Sequence, residues 1–423
     1  MAHGQYVGSC RASSLPLSLS PQGVEAPAGP SSFAVVPSIC VSERYDSNVF
    51  YRPPTPGVQR EDFVTNVTPM LRVNHNGDYA SGFLNVGGFS ETYVKNPNLN
   101  YLGTSDSLFL NLDNSIKRLL PNASLRVDDT FSYTPLPPGF VNPAAGTSPG
   151  DPSNIQNVYA QGFLGTRTNN LINNASVSTT YATTASTSLN ASYSYAIIRF
   201  GSSPSTQGFR LFDTTTQTGT VGGAARLSEL DTLNVRYAHA QIDRTPTSSS
   251  PSATSTSFIT HTATIGWSRM LTSNLNAELG GGGIMISPGI TTYAANAALI
   301  MKSLNNTATI SYSRSAFPNL TGVGGTGTAI LIGDVFSLSA IQQIDRQWQL
   351  SESASYAQTS GGSGLNALTY NSFVVGGDIQ YWVTSIWSTA LSYNYSKFNN
   401  EFGSVKTDIA RQAITFTVRA TWE

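Results

Sequence analysis

Hydrophobic and polar residues alternate with a period of two along many short stretches of this chain. The final stretch reads ITFTVRATW over residues 414–422, so that Ile414 and Phe416 fall on one side of an extended chain and Thr415 and Thr417 on the other. Such alternation is typical of a β-strand with one apolar and one polar face. The same pattern recurs over residues 108–117, 189–197, 275–279, 293–302 and 391–396. No stretch shows a comparable helical period, so the pattern predicts an all-β protein.

The connections between these stretches alternate between short and long. Short turns are predicted at residues 74–78, 119–123, 227–232, 271–274, 304–306, 344–347 and 383–385. Longer tracts rich in Pro, Ser and Gly lie between them, at residues 51–62, 135–157 and 245–257. Hairpins with short connections at one end and long ones at the other are typical of a transmembrane antiparallel up-and-down β-barrel.

The strand count follows from the spacing of the turns. Between Ser38 and Trp422 there is room for about 18 strands of membrane-spanning length, with about 16 as the second choice. The first 33 residues are rich in Pro, Ser and Gly and show no periodicity. We therefore expect a disordered segment over residues 1–33 and one barrel over residues 34–423.

Three features favour a membrane barrel over a soluble β-sandwich. Only 11% of the residues are charged, whereas a solvated strand face normally carries Lys and Glu. Aromatic residues should gather at the two membrane interfaces, and the tryptophans lie beside predicted turns or the chain end: Trp267, Trp348, Trp382, Trp387 and Trp422. A sheet in lipid must close on itself so that all backbone donors are paired, which contiguous hairpins permit. A soluble β-solenoid is the alternative, but it needs a fixed repeat that connections of unequal length do not provide.

Charge and hydropathy limit the other possibilities. The net charge of −1 and the isoelectric point of about 6.4 give no electrostatic reason to expect a nucleic acid partner. The longest apolar runs are far shorter than the ~20 residues of a membrane-spanning helix. The expected location is the bacterial outer membrane, with its lipid as a partner. Because MAHGQYVGSC lacks the features of a signal peptide, we expect that the N-terminus is truncated or misassigned.

The chain contains two cysteines, Cys10 and Cys40. A disulfide between them would form in an oxidising compartment, but two cysteines in 423 residues do not make a disulfide scaffold. The favoured interpretation is two unpaired thiols, and a disulfide is the alternative.

Two segments resemble known outer-membrane proteins. SERYDSNVFY at 42–51, followed by EDFVTNVTPMLRV at 61–73, resembles the opening of a family of outer-membrane β-barrel porin-like proteins encoded beside exopolysaccharide and related export genes. The resemblance implies an outer-membrane channel and no particular solute. The last strand resembles the C-terminal signal that the barrel-assembly machinery reads, and this machinery is therefore an expected partner. Trp422 is penultimate here, with Glu423 behind it, which departs from that signal.

Candidate catalytic and metal-binding chemistry is sparse. None of the four histidines stands at a suggestive spacing from a carboxylate, and His and Cys are too few for a recognisable zinc site. The glycines at 280–283 continue as strand and do not open a helix, so they do not form a phosphate loop. The acidic clusters YDSN and RVDDT lack the spacing of a calcium loop. We expect a protein that is not an enzyme and has no cofactor and no metal.

Charged residues on the polar side of the predicted strands are the candidates for lining a pore. They are Arg72, Asp113, Lys117, Arg126, Asp128, Glu278, Lys302, Asp378 and Arg419. Charges that line a pore set its ion preference; the alternative is that these groups only pair with one another. By the same alternation, Asp129 and Glu352 face lipid; the alternatives are that local bulges re-aim them or that they lie near the membrane interface, where a charge costs little.

A lining of Ser, Thr and Asn predicts a passive, weakly selective pore for small hydrophilic solutes, with saccharides as the suggested class. The alternative is a plugged barrel or a surface β-protein with a structural or adhesive role through its long loops at 135–167 and 245–257. The sequence does not predict the oligomeric state.

Overall fold

The computed structural model describes residues 32–51, 53–54, 57–135, 169–201, 209–247, 255–287, 289–318, 321–323, 330–361, 368–402 and 405–422. The segment predicted to be disordered, 1–33, lies almost wholly outside these residues, as do most of the loops predicted at 135–167 and 245–257.

The described chain is almost entirely β-strand. The strands are β1 Ser32–Asp46, β2 Asp62–Asn76, β3 Ser81–Tyr93, β4 Tyr101–Asn111, β5 Ala123–Thr134, β6 Asn170–Ala182, β7 Thr187–Phe200, β8 Phe209–Arg226, β9 Asp231–Pro246, β10 Thr256–Thr272, β11 Leu275–Ile286, β12 Ile290–Lys302, β13 Asn306–Pro318, β14 Thr321–Val323, β15 Ile330–Gln343, β16 Trp348–Gly361, β17 Leu368–Trp382, β18 Trp387–Phe402 and β19 Val405–Thr421. A 3₁₀ turn, Pro97–Leu99, and one short helix, α1 Asp113–Ile116, interrupt them.

The strands form a closed antiparallel β-barrel of 18 strands. Each barrel strand pairs with its neighbours in the chain, and β1 pairs with β19 to close the ring, with Ser38 opposite Thr421 and Asp46 opposite Ala413. The short strand β14 stands outside the ring: β13 pairs directly with β15, and β14 pairs with the start of β8. The predicted fold class and the preferred strand count are confirmed.

The two ends of the barrel differ. At one end, the turn end, β1 begins and β19 ends, and the connections there run over 77–80, 112–122, 183–186, 227–230, 273–274, 303–305, 344–347 and 383–386. At the other, the loop end, the connections include the long ones at 47–61 and 135–169, although those at 287–289 and 403–404 are as short as the turns. The first strand begins at Ser32 rather than near Ser38 as predicted, because the alternation extends back through Phe33 and pairs with β2.

Strand alternation separates the side chains into two faces. On β19, the side chain of Phe416 is 52% exposed on the outer surface, whereas its neighbour Thr417 is 1% exposed on the inner one. The same alternation assigns Leu84 and Val86 of β3 to the outer face and places Phe83 and Phe89 inside. The barrel therefore has an apolar outside and a predominantly polar inside, the reverse of a soluble sheet protein.

Candidate functional site: the barrel lumen

Short hydroxyl and amide side chains form much of the inner wall. On β8 the inner residues Thr214, Thr216, Thr218 and Thr220 follow one another at every second position, and all are buried. Strand β10, the second strand along from β8 in the ring, contributes further inner threonines, at 260, 262 and 264. These side chains offer both donors and acceptors without charge.

Seven of the nine predicted pore-lining residues lie on the inner face. The pairing register places the following side chains there: Arg72, Arg126, Asp128, Glu278, Lys302, Asp378 and Arg419. They are spread around the barrel and along its length, and among the described residues none of the seven forms an ion pair with another within 4.0 Å. Their function in solute passage stays a prediction.

The prediction is wrong for Asp113 and Lys117. Both belong to the connection between β4 and β5, where Asp113 opens α1 and Lys117 follows its last residue. Leu112 and Ile116 are spaced by one helical turn, and the carbonyl of Leu112 accepts the backbone N–H of Ile116 at 3.0 Å. The carboxylate of Asp113 accepts the backbone N–H of Leu125 at 2.9 Å, which fixes the turn to the start of β5. The carboxylate of Asp113 thus stabilises a turn, and neither residue lies on a strand of the wall.

The sequence analysis missed the largest charged cluster of the lumen, formed by Arg44, Asp46, Glu91 and Arg411 and called here the seam cluster. Two nitrogens of Arg411 contact Asp46, with Nη2 at 2.6 Å from Oδ2 and Nε at 3.0 Å from Oδ1. Arg44 contacts Glu91 with two parallel hydrogen bonds of 3.2 Å and Asp46 at 3.5 Å. Bidentate pairs of this kind are the strong form of a charge-assisted hydrogen bond.

The cluster joins three strands at the loop end. Arg44 and Asp46 come from β1, Glu91 from β3 and Arg411 from β19, so it spans the seam where the ring closes. Both carboxylates are fully buried. Alternation in SERYD could have shown that Arg44 and Asp46 share the inner face, but their partners lie 47 and 365 positions away.

The first loop, 47–61, begins by folding into the lumen. Tyr51 is 1% exposed and packs against the inner side chains Val335, Ala357, Phe398 and Ile409 of β15, β16, β18 and β19. The guanidinium of Arg411 lies 5.2 Å from the centroid of the Tyr51 ring. Tyr51 also has a φ of +53°, in the left-handed region that is costly for a side chain of this size. The packing and the ring contact therefore hold a strained backbone in place.

The residues before Tyr51 fasten the loop to the wall. Asp46 accepts the backbone N–H of Asn48 at 3.1 Å, and the Asn48 amide donates to the carbonyl of Ala410 at 3.1 Å. Val49 packs against inner Val64 and Tyr93. The seam cluster thus anchors a loop that narrows the loop end of the lumen.

A second feature narrows the same end. Strand β14, in the connection from β13 to β15, pairs with Phe209–Leu211 at the start of β8. Because β8 and β13 are separated by four strands of the ring, this pairing carries the connection across part of the mouth. The predicted inward-folding candidate, loop 135–167, lies outside the described residues.

Cys40 lies on the inner face of β1, and it is disulfide-bonded. The interpretation of two unpaired thiols is therefore wrong. The second cysteine of the chain, Cys10, lies outside the described residues. A disulfide in this position indicates that the protein matures in an oxidising compartment.

The outer surface carries an apolar belt of exposed side chains, with Val41, Leu84, Val221, Ile265, Phe373 and Phe416 among its members. Asp129 and Glu352 face outwards within this surface, as predicted. Asp129 accepts hydrogen bonds from the amide of Asn173 at 3.1 and 3.3 Å. Glu352 stands between Ala340 and Gly377 on the neighbouring strands.

The described residues contain no group of three or more His, Cys, Asp or Glu side chains arranged to hold a metal ion. No helix in this part of the chain has the length and apolar character needed to cross a membrane.

Comparison with known proteins gives likeness of fold only. No family model matches the chain, and no curated protein matches it. Among solved structures, the chain is similar to OccK3 (OpdO) of Pseudomonas aeruginosa, with 11% identity over 92% of this chain and 96% of that one and a TM-score of 0.44. It is also similar to the siderophore receptor PirA of the same organism, with 9% identity over 93% and 81% of the two chains and a TM-score of 0.43.

A third similar structure is a mutant of the ferric enterobactin receptor PfeA of Pseudomonas aeruginosa, with 8% identity over 93% and 82% of the two chains and a TM-score of 0.48. At such low sequence identities, the similarity of fold does not indicate which solute or ligand this chain binds or transports.

Proposed function

We propose that this protein is an outer-membrane channel, a passive and weakly selective pore for small hydrophilic solutes. The observation that carries the proposal is the inversion of polarity. An apolar belt on the outside suits hydrocarbon, and a wall of hydroxyl and amide groups on the inside suits water and hydrated solutes. A closed barrel with no free strand edge is the sheet that lipid tolerates.

The disulfide of Cys40 supports a location beyond the cytoplasm. With the turn end in the periplasm, β1 would begin and β19 would end there, which is the arrangement of single-chain bacterial barrels. We further propose that the closing strand β19 is the segment recognised by the barrel-assembly machinery. Membership of the porin-like family encoded beside export genes rests on the SERYDSNVFY and EDFVTNVTPMLRV segments and belongs to the same proposal.

Saccharides are the proposed solute class, because uncharged hydroxyl and amide groups can exchange hydrogen bonds with sugar hydroxyls along the inner wall. We propose that solutes pass by diffusion and that the protein is not an enzyme.

Reconstitution tests the channel directly. Purified protein inserted into planar lipid bilayers should give discrete conductance steps, and liposomes that contain it should swell in isotonic sugars at rates that fall with sugar size. A matched control is protein denatured before reconstitution. Correctly folded, heat-modifiable protein that yields no conductance steps would rule out the pore.

A plugged barrel with a structural or adhesive role is the second candidate. The observation that favours it is the crowding of the loop end, where Tyr51 packs inside the lumen and β14 pairs across to β8. In that case the same bilayers would show no steps, and cells that display the protein would bind a surface that cells lacking it do not.

A further inference from the structure

The acids at the loop end of the lumen are buried and bound within the protein, by ion pairs or by hydrogen bonds. Asp46 and Glu91 are held by Arg44 and Arg411 in the seam cluster, and Glu91 also accepts the hydroxyl of Tyr93 at 2.7 Å. The third acid, Asp62, is fully buried. It accepts backbone N–H groups of Phe63, Lys95 and Asn96 and the amide of Asn96, all at 2.8–2.9 Å. None of these three carboxylates presents a free charge to a solute.

The remaining inner charges are unbalanced. Among the side chains that the structure describes, the remaining inner acids are Asp128, Glu278 and Asp378. The bases that remain on the inner face of the strands are Arg72, Arg126, Arg236, Arg244, Lys302 and Arg419. One further base, Arg226, donates to the carbonyls of Ser228 and Glu229 at the turn end and belongs to that turn. Among the described inner side chains, positive charge therefore exceeds negative charge.

One side of the lumen has no inner acid within the described side chains. On the five consecutive strands β6–β10, the inner residues are Ser, Thr, Asn, Gly and apolar residues apart from arginines. Arg236 lies in the turn-end half of β9, where it donates to the hydroxyl of Thr220 at 3.5 Å. Arg244 is the third residue from the loop end of the same strand.

Arg244 is the most isolated of these charges. The residue is 2% exposed, and within the described residues neither Nε nor Nη2 has a hydrogen-bond partner. Its guanidinium lies 4.1 Å from the ring centroid of Phe212, a cation–π contact. A buried guanidinium whose charge is not paired with an acid is costly, and its positive charge attracts anions in the lumen through space.

Arg419, near the turn end, also has a buried guanidinium nitrogen without a hydrogen-bond partner in the described part of the chain. It is the third residue from the end of β19, and the nitrogen concerned is Nε. No acid of the described residues lies within ion-pair distance of it. The two arginines therefore stand in opposite halves of the barrel, one near each opening.

We propose that the lumen favours anionic solutes over cations, with Arg244 near the loop end and Arg419 near the turn end as the two principal positive charges that act on a passing ion. The inference rests on the proposed channel function and narrows its solute class. Uncharged solutes such as sugars still pass, because a preference set by charge does not exclude them.

The expected effect of one charge is modest. A single arginine should change the ratio of anion to cation permeability by about twofold to threefold, the factor that Coulomb's law in water gives when a unit charge about 14 Å away attracts the anion and repels the cation. Low salt should enlarge this factor, because screening weakens.

Reversal potentials across a bilayer under a gradient of potassium chloride provide the test. The wild-type channel should reverse at a potential of the sign that chloride preference requires, and potassium acetate should give the same sign. Arg244→Gln and Arg419→Gln should each lower the permeability ratio by about twofold to threefold. Arg244→Lys should keep it, and Asp378→Asn should raise it.

Lys397→Gln is the matched control. Lys397 faces outwards on β18 and pairs with Asp408 at 3.3 Å, so its loss removes the same charge away from the lumen and should leave the ratio unchanged. A cation preference, or no change on removal of Arg244 and Arg419 together, would overturn the inference and leave the channel standing. If no variant and no wild-type protein conducts, the channel itself fails, and this inference with it.

Discussion

Arg411 and Asp46, 365 positions apart in the chain, form a bidentate ion pair across the seam that closes the barrel. The pair lies where β1 and β19 meet, with Asp46 opposite Ala413 in the register. The first loop takes its anchor from the same carboxylate, since Asp46 also accepts the N–H of Asn48. Closure of the ring and the position of the loop are thus coupled through one acid.

Arg411→Met should therefore be strongly destabilising. Removing one partner of a buried pair leaves the other charge uncompensated, at a cost of about 3–5 kcal/mol. The measurement is the free energy of unfolding from a denaturant titration in lipid vesicles. Lys397→Met is the control: its pair with Asp408 is largely exposed and should be worth about 1 kcal/mol or less. Equal losses for the two variants would contradict a structural role of the seam cluster.

Ile265 and Thr264 test the two faces of one strand. Ile265 is exposed on the apolar belt, and Thr264 is on the inner face opposite Arg236. Ile265→Asp should cost about 2 kcal/mol or more, because an acid placed in hydrocarbon is penalised and apolar contact is lost. Thr264→Asp should be near neutral in stability, since the new carboxylate meets water and a guanidinium. Unfolding titrations in vesicles that give the opposite order would reverse the assignment of the faces.

Replacing Glu352 with an apolar residue should stabilise the protein. It is the third of the outward residues of β16 after Trp348 and Leu350, in the middle of the apolar belt. Glu352→Leu should raise the free energy of unfolding in vesicles by about 1 kcal/mol, because a lipid-facing charge is removed. Glu43→Leu is the comparison, because Glu43 lies near the loop end and accepts the hydroxyl of Thr65 at 2.7 Å. A larger gain at Glu43 would show that Glu352 does not face hydrocarbon.

The ring of Tyr51 should limit conductance. Tyr51→Gly suits the positive φ and removes the ring from the lumen, so single-channel conductance should rise. Stability should fall, because the lost aromatic packing of about 3–5 kcal/mol exceeds the strain that is relieved. Tyr79→Gly is the control, since Tyr79 is exposed at the turn end. Unchanged conductance in a folded Tyr51→Gly protein would mean that the passage runs elsewhere.

Alkylation can show whether Cys40 is disulfide-bonded or a free thiol. Protein purified without reductant should resist alkylation of Cys40 and become reactive after reduction and unfolding, as measured by mass spectrometry. In Cys10→Ser protein, Cys40 should be alkylated without reduction if Cys10 is its partner. Alkylation of Cys40 in the untreated wild-type protein would show that it is a free thiol.

The alternation of residues was enough to predict the strands and most of their faces. It predicted that Asp129 and Glu352 point outwards and that Arg72 and Arg419 point inwards, because a period of two depends only on the local chain. It failed at Asp113, where Leu112 and Ile116 share a helical spacing that also fits the end of an alternating stretch.

Contacts between strands that are far apart in the chain could not be predicted from the sequence. The partner of Arg44 on β3 and that of Asp46 on β19 depend on register and stagger around the whole ring, which one sequence does not encode in any local pattern. The inward packing of Tyr51 likewise depends on side chains from β15 to β19. The position of such a loop depends on the side chains of the barrel wall that it packs against, and these come together only when the barrel closes.

The pairing of β1 with β19 has a consequence for how the protein is made. Until residues 405–421 have been synthesised and delivered, β1 has a bare edge that could recruit a strand from another polypeptide. Contacts of such sequence separation form slowly, since the loop between them must first be closed. Before it is inserted, the unfolded chain therefore needs a chaperone that covers this edge. Any delay in delivering β19 lengthens the time during which strands of two molecules can pair with each other.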